Sequence, residues 1–322
     1  MSRIDLVFYG ASGFTGAYIV ERFVNSKYFG TLSFAVAGRN NAKLQKVLED
    51  ISHKTGRDVT STPIIIADSS DEQSLADMAK KAKVIVNAVG PYRLYGEPVV
   101  RAAVENGAHH VDISGEPAYL EKMQMLYGEK AKENGVYIVG ACGWDSIPCD
   151  LGVTFLKERF EGDLNHVESF VQLVSGPAGY SINEGTYQTL ILGISEAAHD
   201  GLGKIRKAIM PEKIEKGDVK PPRRGKMWPI NEKELKGWAL PFLGSDKSIV
   251  NRSQYYDCVT NNKRPVGIIS FTDLEWAEFS SIMSEELKGF DLKHSCHLTG
   301  ILRRRCSIII SLPSLQPFLS GR

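Results

Sequence analysis

The first half of the chain alternates short β-branched runs with longer segments of helical periodicity. This alternation is typical of a parallel sheet whose strands are joined by crossover helices. It predicts strands at Ile4–Tyr9, Ser33–Ala37, Ser61–Ala67, Val84–Ala88, His109–Asp112 and Val136–Gly140. It predicts helices at Phe14–Phe23, Asn41–Ser52, Gln73–Ala82, Pro98–Asn106 and Tyr119–Glu133, with Ser70 and Gln73 as a capping pair. The expected fold class is therefore α/β, with an N-terminal doubly wound sheet of the Rossmann type.

The pattern changes after about Pro148. Val167–Val174 alternates as an antiparallel strand does, and Gly185–His199 has the periodicity of a helix. We therefore expect a second, smaller α+β domain that binds substrate or mediates dimerisation. The predicted divisions are a dinucleotide-binding domain at 1–148, the α+β domain at 149–266 and an atypical tail at 267–322.

Residues 204–236 are strongly basic, with eleven Lys and Arg against five Asp and Glu. Four prolines, Pro211, Pro221, Pro222 and Pro229, exclude one continuous helix. Two interpretations are open for this segment. It is either a solvated loop or a basic flap that contacts phosphate, acidic lipid or a partner surface.

The composition excludes several other classes of protein. With 39 Lys and Arg against 38 Asp and Glu, the net charge of +1 gives no reason to expect nucleic-acid binding. No apolar run approaches the roughly 18–20 residues of a membrane-spanning helix. The N-terminus lacks the apolar core of a signal peptide. We expect an intracellular, cytoplasmic location unless the protein associates with a membrane surface.

The glycine-rich turn after the first predicted strand carries the strongest local signal. It has the spacing Gly-x-x-Gly-x-x-Gly. Gly10 permits a tight turn, Gly13 lets a pyrophosphate approach the backbone, and Gly16 permits close packing of helix on sheet. The free N–H groups at the helix start favour an anion. The predicted dinucleotide-binding residues here are Gly10, Ser12, Gly13, Phe14, Thr15 and Gly16.

The end of the second predicted strand determines which dinucleotide is expected. NAD-binding proteins place an acidic residue there, whereas this strand ends in Gly38-Arg39. Arg39 suits a 2′-phosphate, which favours NADP over NAD. Arg39 could instead be a surface residue at a helix start. Asp68, after the third strand, either accepts from the adenine amino group or caps the turn that follows it.

The fourth predicted strand ends in Asn87, and ligands of such sheets lie outside the carboxyl ends of the strands. Asn87, Gly90 and Pro91 are therefore predicted to line the nicotinamide half of the cofactor site. Tyr92 follows directly. It is the candidate proton donor to a substrate oxygen, with a packing role as the alternative.

Polar residues also follow the fifth and sixth predicted strands. Asp112, Glu116 and Asp145 are candidates to orient substrate or to supply acid–base function, or they cap helices. Cys142 and Cys149 are expected to be small buried residues rather than nucleophiles. No metal site is predicted, because Cys296 and His297 are adjacent and lack the usual ligand spacing.

Five segments in the same order resemble the saccharopine dehydrogenase-like oxidoreductases, in particular their animal branch. The segments are Phe8–Gly16, Ala37–Arg39, Asn87–Tyr92, Asp112–Glu116 and Gly143–Gly152. The resemblance extends through Asn183-Glu184-Gly185-Thr186, which is similar to a helix start in the family's second domain, to about Val266. It implies an NADP-binding oxidoreductase that associates with lipid droplets, mitochondria or membranes. Bacterial relatives include enoyl reductases of glycolipid assembly, so the resemblance also implies a lipid-like substrate.

Three functions follow from the residues and the resemblance together. The first is an NADP(H)-dependent oxidoreductase that transfers hydride to or from an apolar metabolite, with Tyr92, Asp145 and Thr186 facing the substrate. The second is a non-catalytic NADP-binding protein at a lipid-droplet or membrane surface. The third and weakest is a saccharopine dehydrogenase of lysine metabolism.

The residues from Gly267 to the end depart from the family pattern. Arg303-Arg304-Arg305 is followed by Cys306 and a Ser/Pro/Leu-rich terminus, where the family continues with an apolar membrane-associating segment. We expect this tail to derive from an alternative exon or reading frame.

Overall fold

The structure is a computed structural model, and its description extends over residues 2–173, 183–214, 221–225, 227–231, 236–242, 244–275 and 308–309. The chain divides into two compact units. The first comprises Met1–Ile147 and Asn183–Pro211, and the second Pro148–Ile182 and Glu212–Arg322. The domain limits given above stay a prediction. The units differ from them chiefly in grouping Asn183–Pro211 with the first unit.

The first unit is built on a six-stranded parallel sheet. Its elements begin with β1 (Ile4–Tyr9), α1 (Phe14–Val24), β2 (Phe34–Gly38), α2 (Asn41–Thr55), β3 (Ile64–Ile66), α3 (Glu72–Lys81), β4 (Ala82–Asn87), α4 (Tyr92–Glu105), β5 (His109–Asp112), α5 (Pro117–Glu133) and β6 (Ile138–Val139). The strand order is β3-β2-β1-β4-β5-β6. The order reverses beside β1, as in doubly wound dinucleotide-binding sheets, and the predicted fold class is confirmed.

The rest of the chain continues with a second set of elements. They are α6 (Ile147–Arg159), β7 (His166–Leu173), α7 (Glu184–Glu196), α8 (Leu202–Ile209), β8 (Trp228–Asn231), β9 (Lys236–Pro241), α9 (Asp246–Asn261), β10 (Gly267–Glu275) and β11 (Ile308–Ile309). The predicted basic segment, 204–236, begins within α8, includes β8 and ends at the first residue of β9. Its residues 215–220, 226 and 232–235 lie outside the described residues.

Alternating side chains of the first sheet pack on its two faces, because successive strand residues point to opposite sides. Val7 and Tyr9 of β1 belong to one buried cluster with Leu75 and Met78 of α3. Phe8, between them, belongs to the other cluster with residues of α1 and α2. Both faces of the sheet are therefore covered by helices.

Two of the predicted helix starts are wrong. The helix after β4 begins at Tyr92 instead of Pro98, so Pro98 lies inside α4. The N-cap of α3 is Asp71, whose carboxylate accepts from the N–H groups of Gln73 and Ser74, while Ser70 is hydrogen-bonded to Asp68. An Asp side chain one residue closer to the helix competes successfully with the predicted Ser70 cap.

Within the first unit, helix α8 is held against α5 by a buried charge. Glu121 of α5 is fully buried, and its carboxylate accepts from Nε and Nη2 of Arg206 on α8 at 3.0–3.1 Å. A buried carboxylate needs such a partner, because an unpaired charge in the interior is costly. The position of Arg206 within the basic segment gave no sign of this pairing.

The second unit contains a five-stranded mixed sheet of order β11-β7-β10-β9-β8. Strand β10 pairs in parallel with β7 and antiparallel with β9. Val153 of α6, Val250 of α9 and Ile268 of β10 pack in one buried cluster on one face. On the opposite face the ring of Phe271 stacks on that of Phe170, with centroids 5.4 Å apart.

No helix in the described part of the chain is long and apolar enough to cross a bilayer.

A polar cluster interrupts the helix-covered face of this second sheet. Asp246, the first residue of α9, is buried and hydrogen-bonded to Cys149 and Ser270. Ser169 also contacts the Cys149 thiol. Burial raises the pKa of the Asp246 carboxyl to about 6.

The raised pKa of Asp246 predicts that its charged form destabilises the fold. The protonated Asp246 carboxyl contributes stability that is present below the unfolded pKa of about 3.8. This stability is lost as the pH rises through about 6. Asp246→Asn changes the free energy of unfolding at each pH. We expect this change to be about 1–3 kcal/mol more stabilising at pH 7.5 than at pH 5. Denaturant titrations at the two pH values measure this difference. An effect that is equal at both would show that Asp246 does not titrate in this range.

Candidate functional site

The glycine turn at the carboxyl end of β1 leaves no space for side chains at two of its three glycines. Gly10 has a φ of +85°, and a Cβ there would lie 2.7 Å from Cγ2 of Val89. A Cβ on Gly16 would lie 2.1 Å from the carbonyl oxygen of Gly10. Helix α1 thus packs directly on the end of the strand, which is the role predicted for Gly16.

The first turn of α1 presents backbone N–H groups at the same edge. Gly13 is the exposed N-cap, and its own N–H donates to the Gly10 carbonyl at 2.9 Å. The N–H groups of Phe14, Thr15 and Gly16 follow and have no acceptor within the helix, as in any first helical turn. Together with the helix dipole they can hold a phosphate group.

The side chains of this turn differ in their surroundings. Phe14 is 68% exposed, and its ring contacts that of Tyr18 with centroids 5.2 Å apart. Ser12 and Thr15 are partly buried. Ser12 and Thr15 are thus partly covered, while the Phe14 ring projects into solvent.

Arg39 follows β2 beside the glycine turn. Its side chain is exposed and forms no ion pair with any described residue. Its charge nevertheless acts on Asp68 and on the buried Tyr9, so the three groups are neighbours. The Asp68 carboxylate accepts from the N–H and the hydroxyl of Ser70 at 2.9 and 2.8 Å, which lowers the pKa of Asp68. Asp68 thus caps its turn, as one of the two interpretations held.

The end of β4 is fixed by Asn87, which is buried. Its Oδ1 accepts from the N–H of Val89 at 3.0 Å, so its Nδ2 faces Nε2 of His110 at 3.4 Å. Burial lowers the pKa of His110, and the neutral imidazole accepts at Nε2. Gly90 is exposed and Pro91 is buried, and the peptide bond between them is cis.

Tyr92 is placed differently from a proton donor that faces a substrate. Its side chain is only 7% exposed, and its hydroxyl donates to the carbonyl of Asn87 at 2.9 Å. Burial, followed by the nearby Asp112 carboxylate, raises the pKa of Tyr92 far above its usual range. The geometry favours the packing alternative, since the phenol proton is already used within the protein.

Asp112 at the end of β5 organises the turns around it. It is buried, and its Oδ1 accepts from the N–H groups of Ser114 and Ala141 at 2.9 and 3.0 Å. Its Oδ2 accepts from the hydroxyl of Tyr119 at 3.3 Å. Ala141 has a φ of +57°, a strained conformation for a residue with a side chain. The Asp112 carboxylate holds that conformation in place.

Glu116 caps a helix other than the one that it precedes. Its Oε1 accepts from the N–H of Tyr92 at 2.7 Å, and its Oε2 accepts from the N–H of Arg93 at 3.1 Å. The Arg93 side chain also donates to Oε2 at 3.3 Å. The buried carboxylate therefore neutralises the N-terminus of α4, which explains why that helix begins at Tyr92.

Asp145, Thr186 and Cys142 also lie in the first unit. A Cβ on Gly115 would lie 2.4 Å from Oδ2 of Asp145, so Asp145 sits against the turn after β5. Thr186 is exposed in the first turn of α7, and its N–H donates to the side chain of Asn183 at 2.9 Å. Burial raises the pKa of Cys142. Cys296 and His297 lie outside the described residues.

The first sheet thus gathers most of the predicted cofactor residues at one edge, because the carboxyl ends of parallel strands lie together. The turn after β1, Arg39 after β2, and Asn87 to Pro91 after β4 follow adjacent strands. Sequence reasoning missed Arg93, which lies one residue beyond the recognised segment. It offered helix capping as one role for Glu116, but not that the carboxylate caps α4. A charge pair 23 residues apart in sequence leaves no local signal.

The glycine contacts predict unequal effects of two substitutions in one turn. In Gly16→Ala the added methyl would meet the Gly10 backbone, so we expect a loss of about 1–3 kcal/mol in the free energy of unfolding. In Gly13→Ala the nearest atom is the Gly10 oxygen at 3.2 Å, and the loss should stay below about 1 kcal/mol. Denaturant unfolding of both variants tests this ranking, and equal losses would contradict it.

The hydrogen bonds of Tyr92 predict a structural effect for its replacement. Tyr92→Phe removes the donor to the Asn87 carbonyl and should cost about 1 kcal/mol in the free energy of unfolding. Affinity for a dinucleotide should stay within about twofold, since the hydroxyl faces the interior. Unchanged stability together with a large loss of turnover would instead support the predicted proton-donor role.

Comparison with known proteins agrees with this description of the first unit. Residues 6–139 match the family model of the saccharopine dehydrogenase NADP binding domain. A lipid droplet localized protein of Caenorhabditis elegans is 66% identical over 274 residues, which cover 85% of this chain and 64% of that protein. The human saccharopine dehydrogenase-like oxidoreductase is 46% identical over 263 residues, which cover 78% of this chain and 59% of that protein.

The chain therefore spans less than two thirds of the length of these relatives. Among solved structures, apo histidine-tagged saccharopine dehydrogenase (L-Glu forming) from Saccharomyces cerevisiae matches with a TM-score of 0.53 and 14% identity. It covers 87% of this chain and 57% of that chain, and at this identity the likeness shows the fold alone. Residues 6–139 therefore match the saccharopine dehydrogenase NADP-binding domain, and the resemblance of the chain to the saccharopine dehydrogenase-like oxidoreductases is confirmed.

Proposed function

We propose that the first unit binds NADP(H) and that the protein is an oxidoreductase acting by hydride transfer on an apolar, lipid-like metabolite. The observation that carries the proposal is the glycine turn. A Cβ at Gly10 or Gly16 would clash, and the first turn of α1 offers its N–H groups at the carboxyl edge of the sheet. The match of residues 6–139 to an NADP-binding domain supports the same cofactor.

The residues present fit NADP in a specific way. The N–H groups of Phe14 to Gly16 would hold the pyrophosphate, and the exposed Arg39 would pair with the 2′-phosphate. Gly90 and Pro91, at the end of β4, would border the nicotinamide half. When bound, the nicotinamide supplies or accepts a hydride. The role of the protein is to orient the nicotinamide ring and to exclude water from it.

The substrate class is proposed from a relative's name and from the sequence resemblance. The Caenorhabditis elegans relative is named a lipid droplet localized protein. We propose the same location for this protein, and Asp145 and Thr186 as its substrate-facing polar groups. A lipid-like substrate then follows from the place where the protein would act.

A second candidate is a non-catalytic NADP-binding protein that acts at a lipid-droplet or membrane surface, with its second domain forming a homodimer. The buried and hydrogen-bonded hydroxyl of Tyr92 favours this candidate, because the predicted proton donor is engaged in the fold. The two candidates differ in turnover. An oxidoreductase oxidises NADPH when unsaturated acyl or keto lipids are supplied in vesicles, whereas a binding protein leaves NADPH unchanged.

Cofactor choice gives the direct test of the proposal. We expect NADPH to bind more tightly than NADH, and Arg39→Ala to weaken NADPH binding about tenfold while leaving NADH binding unchanged. Titrations followed by nicotinamide fluorescence measure both affinities. Arg22→Ala is a matched control, because Arg22 is an exposed arginine in the last turn of α1, at the other end of that helix. Equal losses of NADPH and NADH binding in Arg39→Ala would contradict the assignment of the 2′-phosphate to Arg39.

A further inference from the structure

Arg93 joins two parts of the first unit that are distant in sequence. Its guanidinium Nε donates to Oε2 of Glu116 at 3.3 Å, and its Nη1 donates to the carbonyl oxygen of Leu192 at 3.2 Å. Leu192 lies in α7, the helix whose first turn carries Thr186. The Arg93 side chain is mostly buried and that of Glu116 is 2% exposed, so this is an interior contact.

Glu116 connects the Arg93 guanidinium to the turn after β4. Its two carboxylate oxygens accept from the first two N–H groups of α4, those of Tyr92 and Arg93. These residues directly follow Gly90 and Pro91, the segment proposed to border the nicotinamide. One carboxylate therefore fixes both the start of α4 and the guanidinium that reaches α7.

We propose that Arg93 and Glu116 are a positioning pair that holds the turn at Gly90–Pro91 and helix α7 in one fixed arrangement. The inference rests on the proposed binding of NADP(H) and adds how the nicotinamide end of that site is held. Neither side chain needs to touch the cofactor for this role. The pair acts through the backbone that it fixes, at Tyr92 N and at Leu192 O.

The position of the pair also predicts which half of the cofactor depends on it. The glycine turn and Arg39 lie at β1, α1 and β2, and among the described residues the pair forms no hydrogen bond or ion pair with those elements. The adenosine half of the cofactor should therefore bind independently of the pair. The nicotinamide half should depend on it, because small misplacements of a positioned group weaken the interactions that require it.

The test compares NADPH with 2′,5′-ADP, which carries the 2′-phosphate and adenine but has no nicotinamide. In Arg93→Met and in the isosteric Glu116→Gln, we expect NADPH to bind about tenfold more weakly and 2′,5′-ADP to bind within about twofold of wild type. Hydrogen exchange of amides in 184–196 should be faster in Arg93→Met than in wild type. Arg93→Lys keeps the charge and should restore part of the NADPH affinity.

Arg101→Met is the matched control. It removes an exposed ion pair between Arg101 of α4 and Glu72, and it should change neither affinity nor exchange. Parallel losses of NADPH and 2′,5′-ADP binding in both variants would show a general structural role and overturn the inference. Unchanged NADPH binding in both variants would overturn it while the proposed function stands. A wild-type protein that binds neither nucleotide would overturn the proposed function and the inference together.

Discussion

Two buried carboxylates hold the carboxyl edge of the first sheet together, and the candidate site depends on both. Asp112 accepts from backbone groups of the turns after β5 and β6, and Glu116 accepts from the start of α4. Interior carboxylates are stable only when donors surround them, so each fixes the backbone that supplies those donors. The turns after three adjacent strands are thereby connected through hydrogen bonds to these two carboxylates. The glycine turn completes this edge on the side of β1.

Two arginine side chains extend this arrangement to residues 183–211. Arg206 of α8 pairs with the buried Glu121, and Arg93 of α4 reaches the Leu192 carbonyl of α7. The first contact pairs a charge with a fully buried carboxylate, and the second is a hydrogen bond to a backbone carbonyl of a partly buried residue. The two helices thus belong physically to the cofactor-binding unit. Residues 183–211 are grouped with the glycine turn in the same compact unit.

Much of the first unit could be predicted from the sequence because its signals are local. Strand β1 was predicted with its observed limits, as was β5, and the glycine turn occupies its expected place after β1. The start of α4 could not be predicted, because Glu116, which caps it, lies 24 residues from Tyr92. Tyr92 was assigned to the cleft from its position after Pro91, yet its hydroxyl turns back to the carbonyl of Asn87. In each case a contact between distant segments decides the outcome, and no local pattern reports it.

The most direct test of this account is a crystal structure of the protein with NADPH. We expect the pyrophosphate at the first turn of α1, the 2′-phosphate at Arg39 and the nicotinamide beside Pro91, with the Arg93–Glu116 pair intact. A nucleotide bound away from the glycine turn would contradict the assignment of the site. A nicotinamide that lies away from the turn after β4 would contradict the role given to the two carboxylates.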